Sequence, residues 1–219
     1  MKKYIPVLKR TRLFAGVGEE EILAMLNCQQ AAEKRYKKGE YVLRQGEHIG
    51  DISILVEGRL SIQRDDYWGN RSIINIVEAG EMFGEAYASP DSGAVMNDVT
   101  AVEDSIVLFL NMKKILTTCP SACRFHSLVV QNLFFAISER NRTLMRKLLH
   151  MSKRTTREKL LSYLSDEAKR QGRSSFEIPF NRQQLADFLS VDRSAMSSEL
   201  GKMRDEGILT FQKNRFRLL

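Results

Sequence analysis

The sequence predicts an α+β chain made of an antiparallel β-roll, a long helix and a C-terminal winged helix-turn-helix. Short apolar runs separated by glycines occupy residues 33–110, a seven-residue apolar repeat follows, and the last forty residues read as helix, turn, helix and hairpin. These patterns are typical of strands, of a long packing helix and of a helix-turn-helix. We expect three parts, at 1–120, 121–151 and 152–219.

The N-terminal part predicts a small antiparallel barrel or sandwich. Before it, Glu19–Leu26 carries apolar residues at helical spacing. The strand candidates then recur at roughly regular intervals, as in a roll of short strands. They are Tyr41–Leu43, Ile52–Val56, Leu60–Ile62, Ile73–Val77 and Ile106–Leu110. Between two of them, Glu57-Gly58 predicts a tight hairpin, because glycine accepts a positive φ.

A strict heptad repeat follows the predicted strands. Its members are Val130, Phe134, Ile137, Asn141, Leu144, Leu148 and Met151. So narrow a stripe indicates a two-helix coiled coil, whereas a helix packed on its own domain shows a wider one. We expect two copies of the chain to pair along it, with an intrachain partner as the alternative. Asn141 is expected to fix the register of this pairing, or to mark a ligand contact.

The C-terminal part begins after a candidate hinge at 150–155, where Thr155 and Glu158 form an expected capping box. Further on, Asn181 and Asp192 are the expected N-caps of two helices joined by a three-residue turn. The second helix buries Met196, Leu200 and Met203. Its opposite face presents Arg193, Ser194, Ser197, Ser198 and Gly201.

Such a second helix enters the major groove of DNA, where arginine bonds guanine bidentately and hydroxyls reach bases or phosphates. A following hairpin, Ile208–Phe211 with Arg215–Leu218, forms a wing that offers Lys213 and Arg215 to phosphate. The alternative is a pair of packed helices that binds no nucleic acid. The wing and the charge distribution favour DNA.

The net charge of +7 is concentrated near the predicted helix-turn-helix. Residues 152–219 hold 14 Lys and Arg against 9 Asp and Glu, whereas residues 1–151 hold 20 against 18. A local basic excess is the electrostatic footprint that phosphate binding requires. No apolar run reaches the roughly 18 residues of a membrane span, so no membrane partner is expected. The absence of a secretory signal and the odd number of cysteines indicate a reducing cytoplasm.

Over essentially its whole length, the sequence resembles the Crp/Fnr family of bacterial transcription regulators. The motifs that carry the resemblance are Gln45-Gly46-Glu47, Val56–Ile62, Gly80-Glu81-Met82-Phe83-Gly84-Glu85, Val191–Ser194 and Leu200–Met203. The resemblance implies a cyclic-nucleotide-binding-like β-roll that senses an effector, a dimerisation helix and a winged helix. It implies a homodimeric regulator rather than an enzyme, with a palindromic DNA operator and RNA polymerase as partners. Arg193, Ser194 and Ser197 would contact bases, and Gln183 and the wing would contact the DNA backbone.

The departures from the family pattern narrow the chemical class of effector that we expect. Cyclic-AMP-binding members carry an Arg-Ser pair for the cyclic phosphate where this chain has Val95-Met96, and no basic residue lies between Glu85 and Lys113. A phosphate would therefore lack its counter-charge, and cyclic AMP is not expected. An apolar or aromatic effector fits better. The candidate effector pocket comprises Phe83, Gly84, Glu85, Val95, Met96 and Asn141.

Metal and redox chemistry is the alternative, since Cys119, Cys123 and His126 share helical spacing. Their other interpretation is ordinary packing. An iron–sulfur cluster needs four thiolates and is not expected, and haem is not expected because the three histidines are scattered. Scattered histidines also argue against an enzyme with a metal cage. A further alternative is a DNA-binding dimer that needs no effector. The family often has Glu and Arg where this chain has Ser194 and Ser198, so its usual half-site is not expected.

Overall fold

The computed structural model describes residues 1–65, 67–68, 71–89, 91–117 and 124–219. Its contacts divide the chain into two compact units, Met1–Ser138 and Glu139–Leu219. The long helix contributes residues to both units. The three-part division at residues 120 and 151 stays a prediction. Among the described residues, no helix combines the length and the apolar composition needed to cross a membrane.

The first unit joins short helices to a β-roll. Its helices are α1 (Ile5–Leu8), α2 (Glu19–Cys28) and α3 (Met112–Leu116), with 3-10 turns at Lys2–Tyr4, Arg12–Phe14 and Glu85–Tyr87. Its strands are β1 (Ala32–Tyr36), β2 (Tyr41–Leu43), β3 (Asp51–Glu57), β4 (Arg59–Asp65), β5 (Arg71–Glu78), β6 (Met82–Phe83), β7 (Asp98–Ala101) and β8 (Ser105–Asn111). All the strand candidates that the sequence predicted are strands, and the antiparallel roll is confirmed.

Two four-stranded antiparallel sheets make the roll, in the orders β1-β8-β3-β6 and β2-β7-β4-β5. Side chains from both sheets fill the interior between them, among them Leu55, Leu60 and Val107. The first sheet is also covered outside, because Ile52, Ile54 and other residues of β3 and β8 pack against the N-terminal helices. Burial on both faces explains why the interiors of β3 and β8 are apolar, except for Ser53, instead of alternating with polar residues.

The hairpin predicted at Glu57-Gly58 is wrong. β3 and β4 belong to different sheets, so the chain crosses from one layer to the other at this point. Gly58 has φ of 89°. A Cβ here would lie 2.3 Å from Ser105 Oγ and 2.6 Å from the Asp104 carbonyl oxygen. Glycine is needed for the conformation and for the close approach, but not for a hairpin.

Helix α4 (Arg124–Met151) is the long helix that the heptad repeat predicts. Near its start, Val129 and Leu133 are buried in the core of the first unit. Asn132 Nδ2 donates to the carbonyl oxygens of Leu13, at 3.1 Å, and Ala15, at 2.8 Å. The helix is therefore anchored to the N-terminal segment along a face different from the heptad stripe.

The second unit is a winged helix. Its elements are α5 (Thr156–Gln171), β9 (Ser175–Glu177), α6 (Arg182–Leu189), α7 (Arg193–Asp205), β10 (Leu209–Gln212) and β11 (Arg215–Leu218). The wing has three strands, not two, in the order β10-β11-β9. Phe216 of β11 pairs with Phe176 of β9, and their rings stack with centroids 6.3 Å apart. The predicted capping box of Thr155 and Glu158 is present.

Candidate nucleic-acid interface

Three independent devices fix the turn between α6 and α7. Ser190 ends α6 with φ of 50°, and the backbone N–H of Val191 donates to the Ala186 carbonyl oxygen at 3.0 Å. Asp192 caps α7, accepting from the Ala195 backbone N–H at 2.8 Å. From α5, Lys159 Nζ donates to the carbonyl oxygens of Leu189, at 3.2 Å, and Ser190, at 3.3 Å. These carbonyls end a helix and have no hydrogen-bond partner within it, so the lysine supplies a donor. Its positive charge also interacts favourably with the negative end of the helix dipole.

Helix α7 has one fully buried stripe and one exposed face. Met196, Leu200 and Met203 are wholly buried, and Ala186 of α6 is also buried beneath them, where its small side chain permits close approach. Buried stripes at this spacing fix how far the helix is rotated about its axis. The opposite side is polar. Arg193, Ser194, Ser197 and Ser198 are all exposed on it, as the sequence predicts.

An ion-pair network ties α5 to α7. Arg157 donates to both carboxylate oxygens of Glu206, one of them at 2.9 Å, and to Glu199 Oε1 at 3.3 Å. The hydrogen bond from Arg157 lowers the pKa of Glu206. A two-oxygen contact of this kind adds geometric restraint that a single point charge lacks. The network therefore holds α7 at a set orientation on the body of the winged helix.

The two basic side chains predicted on the wing differ in their surroundings. Lys213, in the turn with φ of 53°, has no carboxylate partner among the described residues and points its charge to solvent. Arg215 Nε instead donates to Glu177 Oε2 at 3.3 Å. Glu177 Oε1 also accepts from Asn214 Nδ2 at 2.8 Å. Glu177 thus fixes one side of the wing and partly neutralises Arg215, which the sequence did not predict.

Arg182 is a cationic residue that no sequence motif predicted at this site. It is the first residue of α6, and its guanidinium lies over the rings of Phe211 and Phe216, with centroid distances of 4.8 and 5.1 Å. Burial lowers its pKa. No described carboxylate pairs with it. Stacking of arginine on aromatic faces is favourable, so Arg182 places a positive charge between α6 and the wing.

Gln183 lies on the exposed side of α6, where its Nε2 donates to Asp187 Oδ1 at 2.8 Å. The amide nitrogen carries two protons, so one remains for an outside acceptor. The predicted cap of α6 is also present. Asn181 Oδ1 accepts from the Gln184 N–H, and Gln184 Oε1 accepts from the Asn181 N–H, both at 2.9 Å.

The candidate effector residues of the roll are only partly brought together. Phe83 is buried in the interior, and Gly84, with φ of 80°, turns the chain into the 3-10 helix that Glu85 begins. Val95 is buried, whereas Met96 is 54% exposed. The Val95 backbone bonds Gly46 and Glu47, both at 2.8 Å, which ties this segment to the Gln45-Gly46-Glu47 loop.

The metal hypothesis rests mostly on residues outside the described ones, because Cys119 and Cys123 lie there. His126 is described and buried, with Nε2 2.7 Å from the Ile115 carbonyl oxygen. A carbonyl only accepts, so Nε2 carries a proton and is not a metal ligand in this arrangement. The described residues contain no group of three or more side chains arranged to hold a metal ion.

The heptad stripe of α4 is largely exposed. Phe134 is 67% exposed, Leu144 61% and Leu148 60%, and Ile137 and Asn141 are exposed as well. Met151 and Val130 are half-buried. Met145, Leu148 and Leu149 line an apolar groove of about 440 Å³ near the C-terminal end of the helix. A row of large apolar side chains left open to solvent indicates an interaction surface.

Two family models match the chain. The cyclic nucleotide-binding domain covers residues 33–121, and the Crp-like helix-turn-helix domain covers residues 158–219. The chain belongs to the Crp/Fnr family. The matched ranges coincide with the β-roll and with the winged helix. The chain is therefore a DNA-binding transcriptional regulator of the Crp/Fnr type.

Individual relatives agree with this membership. The transcriptional activator protein FnrL of Cereibacter sphaeroides is 22% identical over 218 residues, which are 94% of this chain and 83% of that protein. The cyclic AMP receptor protein of Thermus thermophilus is 26% identical over 203 residues, 92% of this chain and 89% of that protein. The crystal structure of the Thermus thermophilus catabolite activator protein has a TM-score of 0.55 at 24% identity, covering 95% of this chain and 94% of that one. It supports the Crp/Fnr fold.

Proposed function

We propose that the chain is a homodimer that binds a palindromic DNA operator with α7 of each protomer and responds to a small effector in the β-roll. The observation that carries the proposal is the exposed polar face of α7, opposite a fully buried stripe and on a turn braced by Lys159. A helix held so firmly, with donors and acceptors facing outward, has the geometry of a recognition helix.

In this proposal, the charged side chains around α7 divide the work. Arg193 has no carboxylate partner among the described residues and is therefore available to bond guanine O6 and N7. Lys213 contacts a phosphate directly. Arg215 does so while held by Glu177, and Arg182 and Gln183 add donors at the start of α6. Phosphate contacts position the protein, and base contacts specify the sequence.

The exposed heptad stripe of α4 supports the homodimer. The exposed residues Phe134, Leu144 and Leu148 follow the heptad spacing, so two copies can bury them against each other. Two α7 helices would then face half-sites about one DNA turn apart. We expect RNA polymerase as a further partner and the cytoplasm as the location, since that is where such an operator lies.

An uncharged, largely apolar effector fits the roll best. Residues 86–112 contain no Lys or Arg to neutralise a phosphate, and Phe83 and Val95 offer buried apolar surface. A metal-responsive mechanism is less well supported, because the Nε2 atom of His126 is already bonded to a carbonyl oxygen. A dimer that binds DNA without any effector is the second candidate, and it is favoured by the brace at the turn, which needs no ligand.

Selection of bound DNA from a random pool tests the proposal. The full-length chain is incubated with the pool in the presence and in the absence of a cell extract. We expect enrichment of a palindrome whose half-sites lie about one helical turn apart. Enrichment only with extract supports an effector, and equal enrichment without it supports the effector-independent dimer. If neither arm enriches any sequence, the proposed function is wrong.

A further inference from the structure

The exposed serines of α7 differ in where their hydroxyl protons go. Ser194 Oγ donates to Asp192 Oδ1 at 2.5 Å, and Ser197 Oγ donates to the Arg193 carbonyl oxygen at 2.9 Å. Ser198 donates to no described group. A serine hydroxyl has a single proton. At Ser194 and Ser197 that proton is used within the protein, so the oxygen faces outward as an acceptor.

Asp192 holds the hydroxyl proton of Ser194 in a hydrogen bond. Its carboxylate is fixed in place because it also caps α7 through the Ala195 N–H, at 2.8 Å. The Ser194 hydroxyl is the largest cause of the lowered pKa of Asp192, and the backbone N–H of Ala195 is the next. The carboxylate is therefore charged under ordinary conditions. A hydroxyl that donates to a charged acceptor is polarised, which makes its own oxygen a better acceptor.

The major groove presents few donors. Cytosine N4 and adenine N6 are amino groups, whereas guanine O6 and N7, adenine N7 and thymine O4 are acceptors. An oxygen without a free proton attracts the amino groups and repels the carbonyl oxygens. On the same face, Arg193 has the opposite character, because a guanidinium only donates.

We propose that Ser194 and Ser197 read the exocyclic amino groups of cytosine or adenine, and reject guanine and thymine carbonyls at the positions that they face. The inference rests on the proposed function and deepens it, since it assigns base chemistry to two positions of the recognition helix. Arg193 reads guanine. The hydroxyl of Ser198 can rotate, so it can bond a base that presents an amino group or one that presents a carbonyl oxygen.

The test uses the operator obtained by selection and the full-length protein. Synthetic operators replace single cytosines by 2-pyrimidinone, or single adenines by purine, which removes the amino group and keeps the ring. For one or more positions in each half-site we expect about a three- to tenfold weaker Kd, the effect of a single neutral hydrogen bond. In Ser194→Ala, the dependence on the amino group disappears at the position read by Ser194 and persists elsewhere.

Three further variants separate readout from helix stability. Ser194→Thr keeps the hydroxyl and should retain the dependence on the amino group. Ser197→Ala should abolish it at a different position. Ser174→Ala, which removes an exposed hydroxyl outside α6 and α7, is the matched control, and we expect it to bind the amino and amino-free operators with an unchanged ratio of Kd values. Thermal unfolding of each variant shows whether α7 remains folded.

The outcomes distinguish the two proposals. If Ser194→Ala and Ser197→Ala, both folded, keep every amino-group dependence of the unaltered protein, the readout inference is wrong while the proposed function stands. An operator in which no amino-group removal weakens binding has the same meaning. If selection enriches no DNA, the proposed function fails and takes the readout inference with it.

Discussion

Helix α4 buries Val129 and Leu133 in the core of the first unit, and α7 buries one stripe in the winged helix. Each helix leaves another face open, but the two open faces differ in chemistry. The open face of α4 carries Phe134, Leu144 and Leu148, whereas that of α7 carries Arg193 and three serines. Burial of apolar side chains is favourable against any apolar surface. Burial of hydroxyls and of a guanidinium is favourable only where hydrogen-bonding partners are present. The open face of α4 therefore suits a second apolar surface, as in the proposed dimer, whereas that of α7 suits polar atoms, as in the proposed contact with bases.

The largest effect should come from a charge in the apolar face. In Leu144→Glu, pairing of two helices would bury an unpaired carboxylate, so we expect monomers and a loss of operator affinity on the order of 100-fold or more, down to nonspecific binding. Sedimentation velocity and gel retardation measure both. Gln131→Glu, exposed on the same helix outside the heptad stripe, is the control and should remain dimeric. If Leu144→Glu remains dimeric, the apolar face of α4 is not the dimer interface.

The next effect concerns the polar face. Arg193→Ala should lose about 1–3 kcal/mol of discrimination per half-site, the value of one bidentate arginine–guanine contact. Fluorescence anisotropy with the selected operator and with a scrambled duplex measures it. Nonspecific affinity should change little. Arg173→Ala, which removes an exposed arginine outside α6, α7 and the wing strands, is the control. Equal losses on both duplexes would mean that Arg193 contacts phosphate instead of a base.

A smaller effect is expected at the wing. Lys213→Ala should lower the slope of log affinity against log salt by about two for a dimer, roughly one for each phosphate contact. Affinity should fall equally for all sequences. The measurement is a salt titration of operator binding. Glu177→Gln releases the carboxylate's hold on Arg215 and should change the slope in the opposite direction. An unchanged slope in Lys213→Ala would exclude a wing contact to DNA.

The smallest effect should come from His150, near the end of α4. Its Nδ1 lies 2.9 Å from Ser162 Oγ, and its ring meets Tyr163 edge-on. Burial lowers its pKa below the ordinary 6.5, against the raising influence of Asp166 and then Glu167. The unfolded chain thus takes up the proton first, and the free energy of unfolding falls as pH drops below about 6.5.

Thermal unfolding of the protein and of His150→Gln between about pH 7.5 and 5.5 measures this contribution. The variant should lose less of its free energy of unfolding over that interval than the unaltered protein. The two proteins share every other titratable group, so the difference between the two curves isolates His150. Parallel curves would show that His150 is equally basic in the folded and unfolded chains.

The helices and caps of the winged helix were predictable because their signals are local. Asn181 with Gln184, and Asp192 before α7, are cap residues that need only a few neighbours. Sheet membership was not predictable. Gly58 looks like a hairpin glycine, yet β3 and β4 do not pair with each other: β3 pairs with β8 and β4 with β7, and pairing across tens of residues leaves no local mark.

Side-chain partners across the site were also beyond the sequence. Nothing near Arg215 in the chain shows that Glu177 holds it, because β9 and β11 are almost forty residues apart. Arg182 was missed for the same reason: its aromatic supports come from β10 and β11. One signal could have found it, since an arginine directly after a cap residue lies at the exposed start of a helix.

Lys159 of α5, which holds the last carbonyls of α6, has a consequence for protein engineering. The residues proposed to contact bases lie in α7, but one brace of the turn between α6 and α7 lies some thirty residues earlier in the chain. Chimeras that exchange only the two helices with another family member would transfer the proposed base-contacting side chains without the lysine that helps to orient them. A specificity transplant should therefore include α5, or keep a lysine at this position in the recipient.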